Sequence, residues 1–160
     1  MKETNASSIS RRDFVKTSAS IAALAATGNY AFAAGDDKIK VGVIGCGGRG
    51  TGAAKDCLNS SPNIEIYAIG ELFQDRLDQA VKNLTADEKK NPALAQSVNV
   101  PKERQFVGFD AYQKVLACDV DLVILATPPH FRPIHLAAAI QAGKHVFMEK
   151  PVAVDPVGVR

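Results

Sequence analysis

Cysteine is scarce in this sequence. Among 160 residues only Cys46, Cys57 and Cys118 carry a thiol, and no Cys-x-x-Cys occurs. Three scattered thiols exclude a disulfide framework and read as small buried residues. His130, His135 and His145 do not combine with them at zinc-finger spacing, so no metal centre is expected. An excess of one charge is also missing. Residues 1–33 hold four of the 19 basic and two of the 17 acidic side chains, which leaves 15 of each sign in the remaining 127 residues. A neutral body without a basic stripe excludes an electrostatic case for nucleic acid or an anionic membrane. What is present, 46% apolar and 22% charged residues, is the composition of a globular chain rather than a collagen-like, coiled-coil or disordered one.

The amino terminus reads as an address. Ser10-Arg-Arg-Asp-Phe-Val-Lys16 is followed by the mildly apolar Thr17-Ser-Ala-Ser-Ile-Ala-Ala-Leu-Ala-Ala-Thr27 and then by Ala31-Phe-Ala33. A basic opening, a short apolar stretch and small residues at −3 and −1 are the three parts of an export signal, with cleavage expected before Ala34. The apolar stretch is too short and too interrupted to serve as a stable membrane anchor. Arg11 and Arg12, followed by Phe14 and Lys16, resemble the twin-arginine signal for export of folded proteins, so the export machinery is an expected partner. The expected location is periplasmic or secreted. Two units follow: a signal at 1–33 and a single domain at 34–160.

Within that domain, strand and helix patterns alternate. Strands are expected at 38–44, 64–69, 105–107, 121–126 and 145–148, and helices at 48–58, 74–84, 111–116 and 131–142. Residues 85–103 read as an exposed loop or insertion, Asp110 as a helix cap and Gly143 as a helix stop. Asp155-Pro156 opens one more helix. Alternation of this kind predicts an α/β fold with a doubly wound parallel sheet. The chain stops at Arg160, and the expectation is a fragment, truncated before a second domain.

The chemistry gathers where the first strand ends. Gly45-Cys-Gly47-Gly-Arg-Gly50 is Gly-x-Gly-x-x-Gly between a strand and a helix, the context in which that pattern has a mechanism. Gly45 permits a tight turn, Gly47 lets backbone approach a pyrophosphate, and Gly50 lets the helix pack closely. Gly48 and Arg49 complete the turn, whose unpaired N–H groups face phosphate. Glu71 stands 21 residues past Gly50 at the end of the second strand, placed to accept from ribose hydroxyls and to repel a 2′-phosphate. The expected cofactor is therefore NAD, with NADP less favoured. Arg76 is the one nearby group suited to a 2′-phosphate.

Three segments carry a family resemblance: Val41-Gly-Val-Ile-Gly-Cys-Gly-Gly-Arg-Gly50, Asp121-Leu-Val-Ile-Leu-Ala-Thr-Pro128 and Ala142-Gly-Lys-His-Val-Phe-Met-Glu-Lys-Pro151. In order and at these spacings they resemble the cofactor domain of the glucose–fructose oxidoreductase, inositol dehydrogenase and MocA family. The resemblance implies a Rossmann-type domain, to be followed in the full-length protein by a C-terminal α/β substrate domain. It also implies oxidation of a sugar or cyclitol hydroxyl by hydride transfer from its carbon, and a homo-oligomer for the full-length form. By position it places Thr127 and Pro128 against the cofactor, Glu149 in a Glu-Lys-Pro segment, and Lys150 beside the nicotinamide as the catalytic amine. An ammonium there can hydrogen-bond the substrate hydroxyl and stabilise developing alkoxide, and burial would tune such an amine toward proton transfer.

Two positions depart from the family pattern. Pro129 stands where relatives often carry Asn, and Arg132 where they often carry His. His130 is expected to face solvent or cap a helix, with reach to the cofactor as the alternative, and His135 and His145 to be structural. Two other functions remain open. Some relatives oxidise a sugar transiently and return the hydride, giving glycoside hydrolysis without cofactor turnover. Alternatively, the chain is a non-catalytic dinucleotide-binding module. These 160 residues alone are expected to bind NAD weakly and to turn over nothing.

Overall fold

Ile39–Ile44 (β1) is uncharged from Val41 onward because that stretch is buried on both faces, as a central parallel strand must be. The computed structural model describes residues 38–88 and 97–160; the export signal, its cleavage site before Ala34 and the domain start at residue 34 lie outside them. After β1 come α1 (Gly48–Ser60), β2 (Ile64–Glu71), α2 (Gln74–Glu88) and β3 (Gln105–Val107). They are followed by α3 (Ala111–Ala117), β4 (Leu122–Leu125), α4 (Arg132–Gln141), β5 (His145–Met148) and α5 (Pro156–Val159). The strands form one parallel sheet in the order β3-β2-β1-β4-β5. Residues Lys38–Arg160 make one compact unit.

Each face of the sheet has its own apolar layer. On one side Val41, Val43, Ile66 and Ile69 meet Ala54 and Leu58 of α1 and Leu77 and Leu84 of α2. On the other, Ile44, Ala68, Val123 and Leu125 meet Val115 of α3 and Ala139 of α4. Burying each larger aliphatic side chain contributes about 1.5–3 kcal/mol. Val115 lies so close that a Cβ on Gly42 or Gly70 would approach it to 2.6 or 2.9 Å, which fixes α3 directly over β1 and β2.

The strands and helices fall where alternation places them, with one segment read differently. Residues 85–88 extend α2, and Lys102–Arg104 form a single 3-10 turn. Ser97 and Val100 are buried, and Val98 bridges Ile66 of β2, because Ile66 N–H donates to Ser97 O and Asn99 N–H to Ile66 O. The described part of 85–103 is thus not a free loop but a strap across the lower rim of the sheet. There Asn99 Nδ2 donates to Glu65 Oε1 at 2.6 Å, Arg104 donates to Asn99 and stacks 3.6 Å above the Tyr67 ring, and Lys40 pairs with Asp119. Asp110 does not cap α3; its carboxylate pairs with Lys114 at 2.8 Å instead, which also draws its pKa down. Gly143 ends α4 with φ +67°, and the Asp155 carboxylate accepts from Gly158 N–H at 2.7 Å to open α5. Of the thiols, Cys46 is buried and Cys57 and Cys118 are half-buried.

Candidate functional site

The order of strands reverses between β1 and β4, and the loops that leave their carboxyl ends diverge to opposite faces. A crevice opens at that point in sheets of this type. Gly45 makes it possible: φ is +91°, and a Cβ there would sit 2.6 Å from Thr127 N. Gly50 is equally constrained, since a Cβ would lie 1.8 Å from Gly45 O. The first turn of α1 is therefore pressed against the turn that precedes it. By contrast, a Cβ on Gly47 would meet only Arg76 Nη1, at 3.7 Å, and one on Gly48 nothing within 4 Å.

At this helix start the first three amides have no intrahelical acceptor. No side chain caps them, no acidic residue stands in the first turn, and Thr51 N–H to Gly47 O is the first bond of the helix. Open backbone, exposed donors and the positive end of the helix dipole together suit a diphosphate. Glu71 closes the other side. Its Oε2 accepts from Cys46 N–H and its Oε1 from Leu72 N–H, both at 2.7 Å. The carboxylate is held by the glycine turn itself, and each oxygen keeps acceptor capacity for a hydroxyl. Burial and the adjacent Glu71 push the Cys46 thiol up, so it stays protonated and donates to Gly70 O at 3.3 Å.

A cavity of about 410 Å³ lies over these groups. Its walls bring together Gly45, Gly47, Glu71, Thr127 and Pro128 among the expected site residues, with Arg76 on the same wall. Gly48, Arg49 and Gly50 continue from it as the first turn of α1. Arg49 and Glu149 meet each other rather than the cavity. Arg49 Nη2 lies 2.6 Å from Glu149 Oε1, and this pairing, against the cost of burial, holds the Glu149 carboxyl below the usual range. Lys150 is exposed and stands outside the cavity walls, so the burial expected of the amine is not found.

Several lining residues were not anticipated. Phe73, Phe109, Tyr112 and Phe131 give the cavity aromatic walls. Gly108, with φ +115°, turns the chain into Phe109. His135, expected to be structural, stacks on Tyr112 at 4.3 Å, and its Nδ1 is 3.1 Å from Thr127 Oγ1. Burial pushes its pKa down. His130 is exposed and packs edge-on against Phe131. Arg132, noted only as a departure, is buried and bonded to three carbonyl oxygens. Among the described residues, no group of three or more His, Cys, Asp or Glu side chains could hold a metal ion, and no helix is long and apolar enough to cross a membrane.

Residues 39–159 match the oxidoreductase family with an NAD-binding Rossmann fold, the Gfo/Idh/MocA family. The chain belongs to this family. Residues 8–28 match the twin-arginine translocation signal, which directs export to the periplasm or beyond. A glycosyl hydrolase family 109 protein of Shewanella pealeana is 31% identical over 120 residues, 74% of this chain and 24% of that protein. The scyllo-inositol dehydrogenase of Lactobacillus casei, solved with NAD(H) and scyllo-inositol, superposes with a TM-score of 0.56 at 27% identity, over 77% of this chain and 31% of that one. A 3-ketoreductase of Actinomadura kijaniata in complex with TDP-benzene and NADP gives 0.54 at 28%, over 76% and 33%. The chain spans about a quarter of the length of the curated relatives it matches.

Proposed function

We propose that this family member is an NAD-dependent oxidoreductase acting on a sugar or cyclitol hydroxyl by hydride transfer. The observation that carries the reading is the uncapped glycine turn of α1, closed by the Glu71 carboxylate and opening into the aromatic cavity. A nicotinamide dinucleotide bound there supplies the hydride acceptor. In this reading Gly45, Gly47, Gly48, Arg49 and Gly50 present backbone to the pyrophosphate, and Glu71 orients a ribose. Thr127 and Pro128 line the far side, Glu149 orders the strand end, and Lys150 receives the proton of the substrate hydroxyl. Glu71 favours NAD, while Arg76 on the same wall is the group that would recruit NADP.

The test is a calorimetric titration with NAD and with NADP. We expect NAD to bind more tightly, and Glu71→Ala to weaken it about ten-fold, the scale of a hydrogen bond to a charged group. An unchanged dissociation constant would remove Glu71 from the site.

A second reading is favoured by the relatives of glycosyl hydrolase family 109. Here the same cofactor domain serves a redox-neutral glycosidase. Release of an aryl aglycone from chromogenic glycosides without net accumulation of NADH would select this reading; steady absorbance growth at about 340 nm with a free sugar or polyol would select the dehydrogenase.

A further inference from the structure

Arg132 is a buried cation whose bonds run to backbone. Nε donates to Thr127 O at 2.8 Å, while Nη1 donates to Glu149 O at 2.7 Å and also to Pro151 O. One planar guanidinium thus joins the loop after β4, which lines the cavity, to the carbonyls on both sides of Lys150. A buried charge is costly unless its donors are satisfied, so the segment cannot drift from Arg132 without exposing that cost. The planar fork also matters, because a lysine ammonium cannot span carbonyls on two separate segments in the same fixed directions.

We propose that Arg132 is a positioning residue: it sets where Lys150 stands relative to the dinucleotide cavity by fixing the peptide carbonyls of Glu149 and Pro151 against Thr127. Lys150 is exposed and its amine makes no hydrogen bond among the described residues, so its placement rests on its backbone. The neighbouring Arg49–Glu149 pair leaves this job undone, since it engages a side chain and reaches α1 rather than the cavity wall. The inference rests on the proposed function, in which Lys150 adjoins bound dinucleotide.

The experiment measures acylation of individual lysines by a small anhydride, read by mass spectrometry, with and without saturating NAD. Lys82, on the exposed side of α2, serves as the internal reference. In the unsubstituted protein NAD is expected to slow acylation of Lys150 about ten-fold, whereas in Arg132→Met the protection falls to about two-fold or less, as misplacement of a group by about an ångström costs most of its contact. Arg132→Lys is expected to resemble Arg132→Met, because charge without the fork does not restore the geometry. Each variant is scored at saturating NAD and only where its urea midpoint shows it folded. If Arg132→Met does not fold, Arg132→Lys and Arg132→Gln carry the decision. Equal protection of Lys150 in the folded variants overturns the role of Arg132. Absence of protection in the unsubstituted protein, with NAD bound, instead overturns the placement of Lys150 in the proposed function.

Discussion

Gly50 shows how little room a single residue can have. A methyl group there would fall 1.8 Å from Gly45 O, and that oxygen is backbone, so it cannot rotate away. Gly50→Ala is therefore expected to destabilise the domain by about 2–3 kcal/mol, read from urea unfolding, and to weaken NAD binding as the turn is displaced. Gly48→Ala meets open space at the same turn and is the natural control, with little effect on the urea midpoint. At Glu71 the expectation is mixed. Removing the carboxylate also strips acceptors from Cys46 N–H and Leu72 N–H, and Glu71→Gln keeps an acceptor for one of the two, so the urea midpoint is read beside binding. If Glu71→Gln retains the urea midpoint of the unsubstituted protein but loses preference for NAD over NADP, the charge selects the cofactor.

Between elements, a few polar side chains at the upper rim add to the apolar layers. His135 of α4 reaches Thr127 at the end of β4 and stacks on Tyr112 of α3. Its folded pKa is lowered by burial, so the unfolded chain takes up a proton first as pH falls. Stability is thus greatest above the ordinary histidine pKa and declines as pH falls through that value toward the lowered folded one. His135→Gln should flatten this slope in urea midpoints measured from about pH 7.5 to pH 5. The Arg49–Glu149 pair acts lower in pH with the same sign: its contribution is complete above the ordinary glutamate pKa and fades as pH drops below it.

Much of this arrangement was legible in the chain. Period-2 and continuous apolar runs marked all five strands, and Gly143 and Asp155 marked helix ends through backbone requirements that are local. The strap at 97–104 was not legible, because Ser97 and Val100 are buried by a partner strand far away in sequence and no local period announces it. Asp110 had the residue type of a cap, but Lys114 one turn on offered its carboxylate a closer partner. At the site, the glycine spacing disclosed the turn. The aromatic walls and the three carbonyls on Arg132 depend on the tertiary approach of loops, and no spacing encodes them.

For the whole molecule the export signal and the cofactor domain divide the work. The twin-arginine signal at 8–28 sends the protein out, and the route carries folded cargo. Replacing Arg11 and Arg12 by lysine is expected to leave the protein in the cytoplasm, measured by fractionation of cells and immunoblotting. Where the cofactor is held tightly enough to be exported with the domain, protein recovered from outside the cytoplasm releases NAD on denaturation, and its absence there marks binding as too weak for co-export.

The sheet itself has a polarity that bears on how such a protein changes over time. Glu65, Asn99, Arg104, Tyr67 and Lys40 tie the strands together at their amino ends, whereas the cavity opens at their carboxyl ends. The polar ties at the strand starts therefore lie apart from the groups that would meet a ligand. Lineages can explore new substrates on the one rim while the other holds the architecture steady, much as a lathe keeps its bed while the tools are exchanged.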